Sequence, residues 1–482
     1  MNSPTSPSGP PTPDLWPHVS TPLPGPKSAE LFARMDKVAA APMQDHDEVP
    51  FVEVRKEDCL IVDVDGNVFA DLVAGWGATP YGATPATVTE AVVAAQRNYG
   101  MEITDYVQND IAIELAEKLV AIAPPGITRV MVSLSGTLAV EAGVKLAREA
   151  TGRPMILVFH GQYHGEVTYL TASVSTDLAE VNSASSAYVG GLVFAPYPQQ
   201  FRAPFHRGPG PYDDTLYMDF IEEWLLVHQV EPTQIAGVLI EPVLGEGGIH
   251  VPSAAFWERL TAACDRWGWK LILDEVQTGM GRCGTVFAGE HWDLRPDILL
   301  LGKGVAAGGQ PIAAVMATEE VMGTTDVHGG GTFAWTPAAC AGASAGIDVL
   351  TNGETLANVA RIEETARRIL SPLVDEVEQV GDVRMLGAFI GIEFVTDKAS
   401  IKPAPEFHRV VHQECVNRGV LGVTQLGKWV YRLQPPLTMP IELFEWACET
   451  IADVIRDVAA NPPPEAPSLL ERIAPDGGTR RR

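Results

Sequence analysis

The 482-residue sequence is poor in basic residues: 34 lysines and arginines stand against 61 aspartates and glutamates, a formal net charge of −27. Nucleic acids and anionic lipid surfaces bind to basic patches, so we expect neither as a partner. The acidic excess is typical of a surface adapted for solubility, for example in a salty cytoplasm. Attraction of cationic substrates is the alternative interpretation.

Paired cysteines and long apolar runs are also missing. The six cysteines are scattered and form no Cys-x-x-Cys pair, which is typical of reduced cytoplasmic thiols and not of a disulfide framework or a zinc site. No uninterrupted apolar run has membrane-spanning length, and the amino terminus has no basic segment followed by an apolar core. We therefore expect a cytoplasmic protein that is neither secreted nor inserted into a membrane.

Two catalytic signatures are not supported either: the Gly-x-Ser-x-Gly stretch at residues 342–346 follows no strand-like run and so is no nucleophile elbow, and the sequence has no Walker lysine. Residues 279–284 match the dinucleotide fingerprint but lead into no convincing helix, so we reject a Rossmann site. A glycine between His160 and His164 argues against a helix that would align them on a metal. His408 and His412 have helical spacing without a carboxylate motif, and we expect a surface pair.

From Arg129 the sequence alternates strand-like apolar runs, loops and helical segments. This alternation predicts a mostly parallel sheet with helices on both faces. Two of the apolar runs are followed by a functional group, Asp274 after one and Lys303 after the other. Ligands of such sheets bind at the carboxyl ends of the strands. Burying the lysine there is costly, so it must serve a purpose.

The flanking segments have simpler patterns. Residues 1–26 are rich in proline, serine and threonine and predict a disordered tail, with an arm anchored on a partner subunit by Leu15 and Trp16 as the alternative. Residues 51–72 predict strands around an Asp-Gly-Asn turn. The polar segment 175–211 predicts an insertion near the site.

Beyond residue 344 a helical pattern with a break at Asn352 and Gly353 leads into a smaller α+β region. Its strands are predicted near residues 383–394 and 430–434. The last residues, 461–482, are again rich in proline and predict a frayed end.

Ser133 to Thr137 follow a strand and open a helix, a pattern that suits either a phosphate site or an ordinary N-cap. Tyr163 offers an aromatic plane. With Asp274 and Lys303 these residues match the needs of pyridoxal phosphate: a lysine for a Schiff base, an acid facing the ring nitrogen, an anion site and a stacking surface. A structural salt bridge between Asp274 and Lys303 is the alternative.

From about Pro50 to Val458 the sequence resembles the class III, ornithine/ω-aminotransferase group of fold-type I pyridoxal-phosphate enzymes. The resemblance depends on motifs that occur in the order typical of the family. They are Ser-Gly-Thr (135–137), Tyr-His-Gly (163–165), Glu-Pro-Val-Leu-Gly-Glu-Gly-Gly (241–248), Leu-Asp-Glu-Val-Gln-Thr-Gly (273–279), Leu-Gly-Lys-Gly (301–304), Gly-Gly-Thr-Phe (330–333) and Arg-Leu-Gln-Pro-Pro-Leu (432–437).

The resemblance implies an α/β fold of the fold-type I class, in which a large domain with a mostly parallel central sheet is joined to a smaller α+β domain. We expect residues 1–28 to be a disordered or arm-like tail and residues 29–74 to be the N-terminal part of the small domain. Residues 75–343 would form the large cofactor-binding domain, residues 344–460 the C-terminal small domain, and residues 461–482 a flexible tail.

The resemblance also implies residue roles. Lys303 would form the Schiff base and move the proton, and Asp274 would pair with the ring nitrogen. Tyr163 and Val276 would pack on the two ring faces, and Thr332 would reach the phosphate from the other subunit of a homodimer. The residues expected to contact the cofactor are Ser135, Gly136, Thr137, Tyr163, His164, Glu241, Asp274, Val276, Gln277, Lys303 and Thr332.

For the substrate, Arg432 would bind a dicarboxylate and Glu246 would neutralise it otherwise, while Trp76 would line the pocket. Two residues depart from the family pattern. Leu138 replaces the usual glutamate after Ser-Gly-Thr, which removes only a secondary contact. Glu166 stands where some members carry a carboxylate-binding arginine; it either faces solvent or favours amine-bearing substrates.

We therefore predict a homodimeric, ping-pong aminotransferase that moves an amino group from glutamate or alanine to an aldehyde or ketone. An amino-acid racemase or decarboxylating transaminase on the same fold is the alternative. A catalytically inactive binding paralogue is a third reading, which the intact Lys303 and Asp274 disfavour.

Overall fold

The computed structural model describes residues 15–40, 43, 46–104, 106–176, 189–205, 212–424 and 429–465. Its strands form a seven-stranded sheet of order β4-β10-β9-β8-β7-β5-β6, a four-stranded sheet β1-β2-β3-β13 and a three-stranded sheet β11-β12-β14. The strands are β1 (Glu53–Glu57), β2 (Leu60–Asp63), β3 (Val68–Asp71), β4 (Ile127–Ser133), β5 (Met155–His160), β6 (Leu192–Pro196), β7 (Ile235–Ile240), β8 (Lys270–Asp274), β9 (Ile298–Leu301), β10 (Ala313–Thr318), β11 (Val380–Leu386), β12 (Phe389–Phe394), β13 (Val420–Leu421) and β14 (Val430–Leu433).

Helices cover the sheets. Short 3-10 helices occur at Ala74–Gly77, Pro232–Gln234, Ala288–Trp292 and Lys303–Ala306. The α-helices are α1 (Pro26–Met35), α2 (Ala86–Tyr99), α3 (Asp110–Ile122), α4 (Gly136–Thr151), α5 (Tyr169–Val174), α6 (Leu216–Asp219, continued by a π-helix Phe220–Leu225 and a turn Leu226–His228), α7 (Ala254–Trp267), α8 (Glu319–Met322), α9 (Pro337–Thr351), α10 (Glu354–Leu370), α11 (Leu373–Glu376), α12 (Pro405–Asn417) and α13 (Ile441–Ala460).

The seven-stranded sheet is buried on both faces, which explains the continuous apolar runs of its strands. On β9, for example, Leu299 and Leu301 join the core with α3 and α7, whereas Ile298 and Leu300 join the core with α4. Only β10 is antiparallel to its neighbours β4 and β9, so the predicted mostly parallel α/β sheet is confirmed. Strand β10 itself was not predicted, because Ala-Ala-Val-Met-Ala-Thr has no distinctive pattern.

The four-stranded sheet combines strands from both ends of the chain. Strand β13 pairs in parallel with β3, so that residues near 420 lie beside residues near 70. The buried side chains of α10, α12 and α13 share one core with β3, β12 and β14. The break between α9 and α10 falls at Asn352 and Gly353, as expected. Helix α9 itself runs across the expected boundary at residue 343, and the domain limits stay predictions.

Residues 15–26 are not a disordered tail, and this part of the prediction is wrong. The backbone N–H and carbonyl of His18 both bond to Val68 at 2.9 Å, which fixes the segment to β3. Trp16 packs edge-on against Trp446 of the same chain, with ring centroids 5.8 Å apart. The anchor proposed for a partner subunit therefore packs against α13 of the same chain. Residues 1–14 lie outside the described residues.

Three further expectations need correction or comment. His408 and His412 are not a surface pair, because α12 is packed between β12 and α13 and buries both rings. Part of the predicted insertion 175–211 is the edge strand β6, while residues 177–188 and 206–211 are outside the description. Of the tail 461–482, only 461–465 are described, and Glu465 accepts hydrogen bonds from the first turn of α12. None of the described helices is long and apolar enough to cross a membrane.

Candidate active site

Parallel strands of the large sheet deliver their following residues to one edge, where a cavity of about 200 Å³ lies. Each segment that lines it comes directly after, or at the end of, β4, β5, β7, β8 or β9. The lining residues are Gly136, Thr137, Val140, Tyr163, His164, Gly165, Glu241, Asp274, Val276, Gln277 and Lys303. The sheet therefore brings together most of the residues that the sequence predicted for the cofactor.

Asp274 ends β8 and is 3% exposed. Its Oδ1 accepts a hydrogen bond from the Val276 N–H at 2.9 Å, and its Oδ2 lies 2.7 Å from Nδ1 of the buried His164. The backbone N–H of His164 donates to Ser175 Oγ at 2.7 Å, which fixes the ring's position. The second ring nitrogen, Nε2, is buried and has no partner among the described residues. The histidine thus orients the carboxylate and stabilises its charge.

Lys303 follows β9 in a 3-10 turn with a positive φ of 40°, a conformation that is strained for a residue with a side chain. Burial lowers the pKa of Lys303, although Glu246 opposes this shift. Its side chain keeps 22% of its surface accessible. Among the described residues its ion pair is with Glu246, at 3.9 Å between Nζ and Oε1, and not with Asp274. The alternative of a structural Asp274–Lys303 salt bridge is therefore wrong.

Val276 lies between the lysine turn and the start of α4. A Cβ added to Gly302 would stand 3.1 Å from Val276 Cγ1, and one added to Gly136 would stand 2.8 Å from the same methyl. Only glycine permits this approach at both positions. The helix start and the turn that carries Lys303 are consequently held against one valine side chain.

At the N-terminus of α4, Ser135 acts as the N-cap, and its hydroxyl accepts a hydrogen bond from the Leu138 N–H at 3.4 Å. Ser135 does not line the cavity, whereas Gly136 and Thr137 do. A Cβ on Gly165 would collide with Thr137, so the Tyr163–Gly165 segment also packs tightly on this helix start. The first N–H groups of this 16-residue helix therefore face a cavity, and helix starts of this kind suit an anion.

Glu241 follows β7 and connects two loops of the site. Its carboxylate accepts hydrogen bonds from the N–H groups of Tyr163, at 2.9 Å, and Gly245, at 2.8 Å. Burial and the nearby charge of Asp274 raise the pKa of Glu241 to about 8. The carboxylate of Glu241 therefore fixes the backbone of the two loops that contain Tyr163 and Gly245.

Glu246, Gln277 and Arg432 form a second polar group beside the lysine. Glu246 accepts a hydrogen bond from Gln277 Nε2 at 3.0 Å and pairs with Arg432 Nη2 at 2.6 Å. Burial alone would raise the pKa of Glu246, but the charges of Arg432 and Lys303 lower it below its ordinary value. Arg432, on β14, is completely buried.

Besides Ser135, Glu246 and Arg432, three more predicted residues lie outside the lining of this cavity, and all three are exposed. Trp76 is 49% exposed and has a φ of 53° in the turn after β3. Glu166 is exposed and accepts a long hydrogen bond of 3.4 Å from the Tyr163 hydroxyl. Thr332 is exposed beside the exposed Phe333.

Comparison with known proteins agrees with this geometry. The family model "Aminotransferase class-III" matches residues 42–455. The chain belongs to this family. Members use pyridoxal phosphate, and the protein is a pyridoxal-phosphate-dependent transaminase with the fold-type I architecture.

The relatives include enzymes of more than one activity. A 4-aminobutyrate aminotransferase of Mycobacterium leprae is 34% identical over 91% of this chain and 97% of the relative. An alanine/serine racemase of Pyrococcus horikoshii is 32% identical over 92% of this chain and 93% of the relative. A thermostable (S)-enantioselective omega-transaminase from Thermomicrobium roseum superposes with a TM-score of 0.81 at 26% identity, covering 89% of this chain and 98% of that one.

The residues present fit pyridoxal phosphate. A buried carboxylate backed by His164 suits a protonated ring nitrogen, and the N-terminus of α4 suits a phosphate. Lys303 is the amine that reaches the cavity. The sequence pointed to His164 and Glu241 but not to their roles. His164 supports Asp274, and Glu241 joins two loops. Arg384 and Glu393, close to Glu246's loop, were missed entirely.

Proposed function

We propose that this aminotransferase takes its amino group from an acidic donor, glutamate before alanine, and passes it to an aldehyde or ketone that lacks a second carboxylate. The observation that carries this proposal is the buried Glu246–Arg432 pair at 2.6 Å. A dicarboxylate can replace Glu246 as the partner of Arg432. With a substrate that has no distal carboxylate, Glu246 keeps the buried guanidinium neutralised.

Pyridoxal phosphate supplies an electron sink for charge that develops at the substrate Cα. Lys303 Nζ moves the proton at this carbon, and its lowered pKa favours the neutral amine that a base requires. Asp274, supported by His164, would hold a proton on the ring nitrogen. The N–H groups at Gly136 and Thr137 would bind the phosphate, Tyr163 and Val276 would confine the ring, and Gln277 would lie near its hydroxyl.

We also propose that the site is completed by a second copy of the chain. Large apolar side chains are exposed on this chain: Phe333, next to Thr332, and Trp76 are about half exposed, Met101 is 65% exposed and Tyr106 is 88% exposed. Such a surface is typical of an interface. In a symmetric dimer, Thr332 of one chain would reach the phosphate bound by the other.

A half-reaction screen tests the donor proposal. The holoenzyme is mixed with glutamate, alanine, 4-aminobutyrate or butylamine, without an acceptor, while cofactor absorbance and keto product are followed. We expect glutamate to convert the cofactor to its amine form with one equivalent of 2-oxoglutarate. Failure of glutamate to react, while butylamine does, would contradict the role of Arg432.

The same screen distinguishes transamination from a second candidate function, amino-acid racemisation, which the 32% identical racemase relative favours. A racemase would form D-alanine from L-alanine without accumulating pyruvate. A transaminase forms pyruvate in proportion to the cofactor converted.

A further inference from the structure

Glu246 lies at the tip of a loop, residues 244–250, that has little side-chain bulk of its own. The loop is closed by two backbone hydrogen bonds between Leu244 and His250, at 3.0 and 3.3 Å. Three of its seven residues are glycines. Both Gly248, with φ 119°, and Ile249, with φ 61°, have positive φ. A loop of this composition depends on its neighbours for a fixed position.

On one side Glu241 and Gln277 of the large sheet bond to Gly245 and Glu246, and on the other side the neighbours come from the three-stranded sheet. Arg384 on β11 pairs with Gly391 on β12, which pairs in turn with Arg432 on β14. Directly paired residues of antiparallel strands point to the same face, so two arginines flank a glycine in one row.

The loop lies on this row. Arg384 Nε donates to the Gly248 carbonyl at 2.6 Å, and Arg432 Nη1 donates to the Gly245 carbonyl at 3.4 Å. A Cβ on Gly391 would be 3.2 Å from Ile249 Cγ1. The two arginines therefore hold opposite ends of the loop, and the missing side chain between them makes room for it.

Arg384 is itself held by a buried carboxylate. Glu393, 1% exposed, pairs with Arg384 Nη1 at 2.6 Å and with Arg202 Nε at 2.5 Å. Asp382 adds a contact of 3.0 Å to Arg384. Arg202 also donates to the Ile401 carbonyl, and this second contact fixes the position of the Arg202 side chain. Arg384 is therefore anchored from the side opposite the loop.

We propose that Arg384 and Glu393 are positioning residues that hold Glu246 on Arg432 and thereby set the enzyme's balance between substrates with and without a distal carboxylate. The inference rests on the proposed function, because it takes the Glu246–Arg432 pair as the selector. If the loop loosens, Glu246 no longer neutralises Arg432 well. A substrate without a carboxylate then faces an uncompensated buried charge, whereas a dicarboxylate supplies its own partner.

The test measures kcat and KM of the holoenzyme for glutamate and for butylamine. We expect Arg384→Gln to raise the butylamine KM by about tenfold, the effect of losing one hydrogen bond to a charged group. The glutamate KM should stay within twofold or fall. Arg384→Lys, which can still donate to the Gly248 carbonyl, should restore part of the difference. Arg456→Gln, which removes an exposed ion pair with Glu376 on the surface of α13, is the matched control and should change neither KM.

If Arg384→Gln folds poorly, Glu393→Gln provides a second measurement. We expect Glu393→Gln, like Arg384→Gln, to raise the butylamine KM. Equal changes of both KM values, or wild-type values in both Arg384→Gln and Glu393→Gln, would overturn the proposal. An Arg432→Gln background separates it from the proposed function. If Arg432→Gln itself leaves the glutamate KM unchanged, the selector role fails. If Arg432→Gln raises the glutamate KM, the selector role stands. If Arg384→Gln still changes the ratio of the butylamine KM to the glutamate KM in the Arg432→Gln background, only the positioning role fails.

Discussion

The two halves of the active site are built differently. The cofactor half is formed by residues that follow neighbouring strands of one sheet, such as His164, Asp274 and Lys303. The substrate half is assembled where a glycine-rich loop of the large sheet meets β14, so that Glu246 and Arg432 come from separate sheets. The first half is fixed by the topology of one sheet. The second depends on contact between sheets and is joined to the first by the Lys303–Glu246 ion pair.

The strongest test of the cofactor half is Lys303→Ala. We expect a loss of kcat of about 10⁴-fold, because no other amine lines the cavity among the described residues. The measurement is steady-state transamination with glutamate. The variant should still bind the cofactor, but without a covalent bond, so that the cofactor is released when the protein is denatured. Activity above a few per cent of wild type would assign the proton transfer to another residue.

Asp274→Asn should lower kcat by about 10²- to 10³-fold, since a charge oriented toward the cofactor is lost. Glu275→Gln is the matched control, because this adjacent buried carboxylate accepts its bonds from Ala288, Gly289 and Thr278, away from the cavity. The control should lower Tm with little change in kcat. Equal losses of kcat in both variants would show that kcat depends on having a buried carboxylate at this place in the chain, and not on whether that carboxylate faces the cavity.

In the substrate half, Arg432→Gln should raise the KM for glutamate by about 10- to 100-fold, the contribution of a hydrogen bond to a charged group. Butylamine turnover should be nearly unaffected, because its reaction makes no use of the guanidinium. Titration of both donors under identical conditions gives the comparison. A parallel loss for butylamine would place Arg432 in the cofactor half instead.

Glu166→Arg is expected to have the smallest effect. The side chain is exposed and its bond to the Tyr163 hydroxyl is long, 3.4 Å. Exposed charges contribute under about 1 kcal/mol, so KM for amines should rise less than about fivefold. Unchanged kinetics for every donor would identify Glu166 as surface.

The location of the cofactor-half residues at one edge of the sheet could be predicted from the sequence because the information is local. Apolar runs buried on both faces identify β8 and β9, and the residue after each run is then at the ligand edge. Strand β10 escaped prediction because its alanine-rich sequence has no helical or alternating pattern. Strand β6 was concealed in a polar segment for a similar reason.

The substrate half was harder to predict because it depends on tertiary packing. Glu393 is a charged residue within an otherwise buried strand, and this was the one available signal for the anchor of Arg384. His408 and His412 were misplaced for the same reason: helical spacing describes one helix but not what covers it. The partner of Arg432 was expected from the motif, but the clamp around its loop required the register of β11, β12 and β14.

Val276, with Gly136 and Gly302 against its methyl groups, has a consequence for cofactor choice. The anion-binding helix start and the reactive amine are separated by a rigid spacer of one side chain, and neither can approach or withdraw independently. We therefore expect the cavity to favour an aldehyde whose arm to its phosphate matches this separation, and to bind one with a longer or shorter arm less well.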